Sequence, residues 1–349
     1  MQLSALQRRA FGCGKNGAPV CGCARGFFGN CLDGTTFEDD ELQSLPGFVE
    51  MGLREPNDMG TGRNTVCAAR RKLAVAVFDG ASFSLAHSLA SQMSAFFRME
   101  VAVLDGVGSL KEHGASVRAA FGDASWSAKL RGKKRKHAAS SQHLDGRKMD
   151  VLDFLGGLIA VVPSDAFALL AIVPMPIAEG PNEIGGRAYG GDRVACVTTS
   201  ESEPREVIAT ALHEVCHCFG LDHCVAWHCL MASLMLPDAD GPDGDKDPRG
   251  AGYAKLRKGA EPPPGGRLWL CPLCEAKLLT AVGKPAAARE SRPRYEALAT
   301  ALEAAGLGDD ATWARQRLAA LDTCGVCSEE GAGVGRWYSA RHGVRRATP

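Results

Sequence analysis

The alternation of apolar and polar positions first becomes regular at Lys72. Leu73 to Gly80 (LAVAVFDG) is a short apolar run closed by a turn, which predicts a buried strand. Phe83 to Met99 (FSLAHSLASQMSAFFRM) carries an apolar stripe at helical spacing, and His87 within that stripe reads as a packed core residue. Glu100 to Val107 (EVAVLDGV) predicts a second strand. A strand, a helix and a strand in that order imply a parallel pair joined by a right-handed crossover. Further on, Asp150 to Val162 predicts a helix. Phe167 to Ile177 (FALLAIVPMPI) predicts a third strand whose prolines limit pairing toward its end, and Arg193 to Thr199 (RVACVTT) a fourth. Glu206 to Leu212 (EVIATAL) opens another helix, with Pro204 suited to its first turn and Glu203 and Glu206 to its N-terminus. Arg289 to Leu321 reads as one or two amphipathic helices broken near Gly306–Asp309. The fold class is therefore α/β (α+β).

Composition narrows this picture. A chain of 349 residues can hold one or two domains with a sizeable core. Lys and Arg together number 40, as do Asp and Glu, so net charge gives no push toward nucleic acid or an anionic membrane, and no apolar run has the length of a membrane span. Residues 1–66 are Gly-rich and Cys-rich without periodicity and are expected to be flexible. They lack the apolar segment of a secretory leader, so an intracellular, cytoplasmic location is expected, with a nuclear or organellar one as the alternatives. In that setting the 14 cysteines point to free thiols and metal ligands rather than disulfides. Cys67 and Cys196 read as lone buried thiols, and Cys13, Cys21, Cys23 and Cys31 as an irregular N-terminal cluster. Lys129 to His137 (KLRGKKRKH) reads as a solvated loop, within an insertion spanning about 123–148.

The chemistry concentrates in His213 to His223 (HEVCHCFGLDH). His213 and His217 lie one helical turn apart, so both rings leave the same face and can grip one ion. Glu214 sits on the flank of that face, placed to take a proton from water. Gly220 can end the helix, because it reaches backbone angles closed to residues with a Cβ, and the chain can then turn His223 back toward the ion. Three protein ligands leave a fourth zinc position open, which distinguishes a catalytic site from a structural one. Cys216 and Cys218, inside the same helix, read as packing residues, since a ligand role would crowd the imidazoles.

The chain continues with Cys224, four residues, Cys229, Leu230 and Met231, and carries a CxxC pair at Cys271 and Cys274. The sequence HExxHxxGxxHC-x4-C-x-M followed by CxxC resembles the archaemetzincins, a metzincin-clan family of zinc metallopeptidases. The resemblance implies a twisted mixed sheet, a backing helix, a zinc helix and a Met-turn subdomain. It implies two zinc ions: a catalytic one on His213, His217 and His223, and a structural one on Cys224, Cys229, Cys271 and Cys274. It gives Glu214 the role of general base, Met231 that of the Met-turn, and makes Gly186–Thr199 the edge-strand candidate along which substrate lies. Peptides or proteins are the implied substrates, with aminopeptidase action as one form. The 39 residues between Met231 and Cys271 exceed the family's gap, and Pro237–Gly266 reads as a flexible insertion, which leaves Cys324 and Cys327 as a rival second pair. Residues 67–285 are expected to form the catalytic domain, and 286–349 a helical C-terminal appendage. The alternative is a non-catalytic or occluded zinc-stabilised binding module, against which the presence of Glu214 argues. A nucleic-acid-binding zinc ribbon is disfavoured by the balanced charge and the lack of interleaved aromatics.

Overall fold

The computed structural model describes residues 43, 45, 47–48, 66–67, 69–78, 81–104, 149–159, 161–200, 202–224, 229–232, 268–283 and 288–323. The expected insertions 123–148 and 237–266, the basic run Lys129–His137, the N-terminal cysteine cluster and the Cys324/Cys327 pair lie outside the described residues. In chain order the elements are β1 (Lys72–Val77), α1 (Phe83–Phe97), β2 (Glu100–Leu104), β3 (Met149–Asp150), α2 (Val151–Ile159), β4 (Ala166–Val173), β5 (Ile177–Glu179), β6 (Asn182–Ile184), β7 (Gly186–Tyr189), β8 (Val194–Thr198), α3 (Pro204–Cys218), α4 (Pro272–Ala281), α5 (Ala288–Ala304) and α6 (Gly308–Thr323).

Five strands form one mixed sheet in the order β2-β1-β4-β8-β7. The first four are parallel, and β7 runs antiparallel to β8 along one edge. All residues of β4 and β8 are buried, as expected of central parallel strands covered on both faces. Side chains alternate between two cores with the period of a strand. Leu73, Val75 and Val77 enter the core shared with α1, α3, α4 and α5, whereas Ala74 and Ala76 enter the one shared with α2. Phe219, just past the end of α3, is stacked between Phe167 of β4 (ring centroids 4.4 Å) and Phe97 of α1 (5.2 Å). That sandwich fixes the end of α3 against the sheet.

Several expectations are corrected. Phe167–Ile177 is not one strand: Pro174 and Pro176 lack the N–H a ladder needs, so β4 stops at Val173 and β5 starts a separate three-stranded sheet, β3-β5-β6. Within Gly186–Thr199 the edge strand is β7 alone; β8 lies between β4 and β7. His87 is exposed rather than packed, its Nδ1 donating to the Phe83 carbonyl at 2.8 Å. Cys67 is also exposed, whereas Cys196 is buried. Leu45 and Phe48 fall within the span expected to be flexible, yet both are buried in the larger core.

Within the span expected as a C-terminal appendage, the described residues 288–323 form α5 and α6, and Tyr295, Leu298 and Leu302 among them join that same core. Arg294 of α5 is fully buried. Its Nε donates to the Phe96 carbonyl at 2.7 Å, its Nη1 to Glu275 Oε1 at 3.2 Å, and its guanidinium lies 4.3 Å from the Phe96 ring centroid. Tyr295 donates to the other Glu275 oxygen at 3.2 Å. A buried carboxylate is tolerated only when its lone pairs are met in this way.

Because Phe48 is fully buried in the larger core, it tests whether the segment around it docks. Phe48→Ala is expected to lower the free energy of unfolding by about 3–5 kcal/mol, read from the shift in denaturant midpoint. A midpoint equal to the wild type would mean that the segment does not dock.

Candidate metal centres

The helix α3 begins as its sequence suggests, with Pro204 in the first turn and the backbone N–H of Glu203 donating to Glu206 Oε2 at 3.4 Å. It ends at a residue no Cβ would suit: Gly220 has φ 80°. There the Gly220 N–H returns to the His217 carbonyl (2.9 Å) and the Leu221 N–H to the Cys216 carbonyl (3.2 Å), a Schellman closure that reverses the chain. The reversal brings His223 back beside the two helical histidines.

The three rings converge. Their centroids lie 4.7 Å (His213–His217), 4.9 Å (His217–His223) and 5.3 Å (His213–His223) apart, and one nitrogen from each falls within 4.8 Å of the others. His213 Nδ1 donates to the Leu230 carbonyl at 2.8 Å, and His217 Nδ1 to the Leu221 carbonyl at 2.7 Å. A carbonyl only accepts, so each Nδ1 carries the proton and each Nε2 is left with a bare lone pair. Those two Nε2 atoms face each other at 3.0 Å. Burial lowers the His213 pKa to about 4 and that of His217 well below the usual range, so both rings are neutral at neutral pH. Two ligands of one tetrahedral zinc at Zn–N distances of ~2.0–2.1 Å sit roughly 3.3 Å apart, so the spacing fits a shared ion.

Glu214 is buried beside this pair. It packs where β7 has no side chain: a Cβ on Gly186 would stand 2.9 Å from Glu214 Cγ and 2.6 Å from Thr210 Cγ2. Gly190, past the end of β7, likewise admits no Cβ, which would meet the His217 carbonyl oxygen at 2.6 Å. Two glycines thus let the edge strand press against the histidine helix. Loss of hydration raises the Glu214 carboxyl to about 8, against the pull of Arg187 and with the push of Glu179. Those two residues pair with each other at 3.1 Å.

The second centre is a buried cage of Cys224, Cys229, Cys271 and Cys274, all four sulfurs within 4.8 Å of one another. Cys224 Sγ lies 3.8 Å from Cys271 Sγ, and Cys229 Sγ 4.0 Å from Cys274 Sγ. A disulfide needs ~2.05 Å, whereas two thiolates on one zinc at ~2.3 Å stand roughly 3.8 Å apart. Cys271 caps α4 and Cys274 lies in its first turn, where helix N–H groups favour negative sulfur. Hydrogen bonds from the other three thiols hold Cys224 well below the thiol range, while burial pushes Cys271 well above it. Four thiolates can coexist here only around a cation.

The backbone joins the two centres. His223 adjoins Cys224, and Cys229 adjoins Leu230, whose carbonyl receives the His213 proton. The Leu230 N–H donates to the Trp269 carbonyl at 2.8 Å, and the Cys224 N–H to the Met231 carbonyl at 2.6 Å. Met231 is fully buried in a tight turn closed by the Ala232 N–H on the Cys229 carbonyl at 2.9 Å. The structure brings His213, His217 and His223 together in one cluster and Cys224, Cys229, Cys271 and Cys274 in the other, with Glu214 buried on α3 and Met231 two residues after Cys229. Three contributors were missed. The string Gly185–Gly191 could have signalled a close backbone approach. The acceptor role of Leu230 and the loop contact of Gln43, whose amide donates to the Gly220 carbonyl at 2.9 Å, have no local signature.

No family model matches the sequence, and no curated protein does. Among solved structures, the chain is similar to an archaemetzincin from Methanopyrus kandleri, at 20% identity over 48% of this chain and 83% of the other, with a TM-score of 0.33. It is similar to an archaemetzincin from Archaeoglobus fulgidus complexed with malonate, at 21% identity over 46% and 85%, with a TM-score of 0.30. It is also similar to a zinc-dependent peptidase from Methanocorpusculum labreanum, at 17% identity over 59% and 99%, with a TM-score of 0.32.

Proposed function

We propose that this chain is a zinc-dependent peptidase. The observation that carries the reading is the opposition of His213 Nε2 and His217 Nε2 at 3.0 Å, with both Nδ1 protons committed to carbonyls and a buried carboxyl, Glu214, alongside. His213, His217 and His223 would hold a catalytic zinc, and Cys224, Cys229, Cys271 and Cys274 a structural one. A zinc ion among the imidazoles supplies Lewis acidity, activating water and stabilising negative charge on a carbonyl oxygen.

The rest falls to the chain. Glu214, whose carboxylate form is favoured by a neighbouring cation, accepts the proton that the attacking water loses and returns it to the leaving amine. The Leu230 and Leu221 carbonyls hold the two helical imidazoles in the tautomer that leaves Nε2 free, which also raises their basicity. Among the described residues β7 pairs only with β8, so its outer edge offers backbone donors and acceptors to an extended peptide. Met231 is assigned the Met-turn, its buried side chain filling the core under the Cys229–Ala232 turn.

Glu214→Gln keeps the shape of the side chain but cannot accept a proton. It is expected to retain metal while hydrolysis of a mixed peptide library, read by mass spectrometry, falls by about 10²–10⁴-fold. Undiminished cleavage would remove Glu214 from the mechanism, and no cleavage by the zinc-loaded wild type would sink the peptidase reading. The same digest tells N-terminal trimming from internal cuts.

Metal content gives a separate check. The wild type is expected to carry two zinc ions per chain by elemental analysis, and His217→Ala one, with the fold retained. Cys274→Ser is expected to lose the other ion together with thermal stability, since a structural zinc contributes its binding free energy to folding. Two ions persisting in Cys274→Ser would show that the cage is not a metal site.

A further inference from the structure

His213 and His217 share one rigid helical turn, but His223 does not. Its aim depends on the Phe219–Asp222 turn. Part of that turn is satisfied from within α3: the Gly220 and Leu221 N–H groups return to the His217 and Cys216 carbonyls, and the Leu221 carbonyl accepts from His217 Nδ1. The Gly220 carbonyl and the Asp222 N–H are met instead by one distant side chain. Gln43 Nε2 donates to the Gly220 carbonyl at 2.9 Å and to Asp222 Oδ2 at 2.7 Å, and Gln43 Oε1 accepts from the Asp222 N–H at 3.2 Å. One primary amide thus makes three hydrogen bonds to the two residues that flank Leu221, immediately before His223.

The contact spans 177 to 179 positions of chain, so it is not an accident of local sequence. Leu45 and Phe48, two and five residues further on, are buried in the main core. They anchor the segment, so that Gln43 meets the turn already placed. An amide suits the position because it offers donors and an acceptor together. A carboxylate there would face the Asp222 carboxylate and the Gly220 carbonyl with no proton to give.

We propose that Gln43 is a positioning residue for the histidine site: it clamps the Gly220–Asp222 turn and so sets the direction from which His223 meets the other two imidazoles. This rests on the reading of those imidazoles as a metal site. Outer partners that orient ligands typically govern metal affinity by 10–100-fold.

The test uses the metal-stripped full-length chain titrated with cobalt(II) against a competing chelator. Sulfur-to-metal charge transfer marks the cysteine cage and separates it from the imidazole site, so each affinity is read on its own. Gln43→Glu is expected to weaken cobalt at the imidazole site by about 10–100-fold while leaving the cage within about twofold. Adding Asp222→Asn exchanges amide and carboxylate across the contact and is expected to recover about threefold or more of that loss. If Gln43→Glu does not fold, Gln43→Met, of similar length and without the hydrogen bonds, carries the same expected loss. An imidazole site unchanged by the Gln43 variants, or an equal loss at both sites, overturns the clamp. A wild type in which no cobalt signal disappears with His217→Ala overturns the metal reading itself and the clamp with it.

Discussion

Two unprotonated imidazole nitrogens facing each other at 3.0 Å are the constraint around which this molecule is arranged. Lone pairs opposed at that distance repel unless positive charge lies between them. The protein does not relieve the repulsion by tautomer exchange, because both ring protons are already donated to backbone carbonyls. It holds the arrangement by packing: Phe219 is stacked between Phe97 and Phe167, and Gly186 and Gly190 let β7 lie directly on α3. Preorganisation of this kind moves the cost of bringing ligands together from metal binding to folding.

The second cluster belongs to the same framework. Its four sulfurs gather two distant pieces of chain, Cys224–Cys229 and Cys271–Cys274, and the residue directly after Cys229 is the Leu230 acceptor. Behind the cage, Glu275 is held by Arg294 and Tyr295, and Lys277 is buried near enough to favour the Cys224 thiolate. Lys277 of α4 therefore helps set the charge around the cage, and through Leu230 the cage reaches the tautomer of His213.

Much of this was legible in the sequence where the determining physics is local. Strand and helix periodicities placed β1, α1, β2, β8 and α3 within a few residues, because each buries its own apolar face. The histidine cluster was legible because helical spacing and a chain-reversing glycine write its geometry into a short interval, whereas the cysteine set followed from the family resemblance, the spacing of its second pair leaving Cys324 and Cys327 as rivals. The misreadings arose where context decides. His87 lies one turn from Phe83, itself half exposed, at the margin of the apolar stripe rather than its centre. The break after Val173 depended on how much ladder two prolines would forfeit. Gln43 was invisible because the turn it serves lies 177 to 179 positions away in the chain.

The shared backbone also divides the chain by its tolerance of changed length. From His213 to Cys224 the ligands and the Leu221 acceptor are separated by one helical turn and a Schellman closure, and one residue more or less there would carry a nitrogen or sulfur out of range. From Met231 to Cys271 the connection is 39 residues long and contributes only Leu268, Trp269 and Leu270 to the described core. Closing a loop twice as long costs only about 0.6 kcal/mol more. The spacing from His213 to Cys224 is thus counted to the residue, whereas closure of the cage sets only a weak entropic limit on the length of the connection that follows Met231.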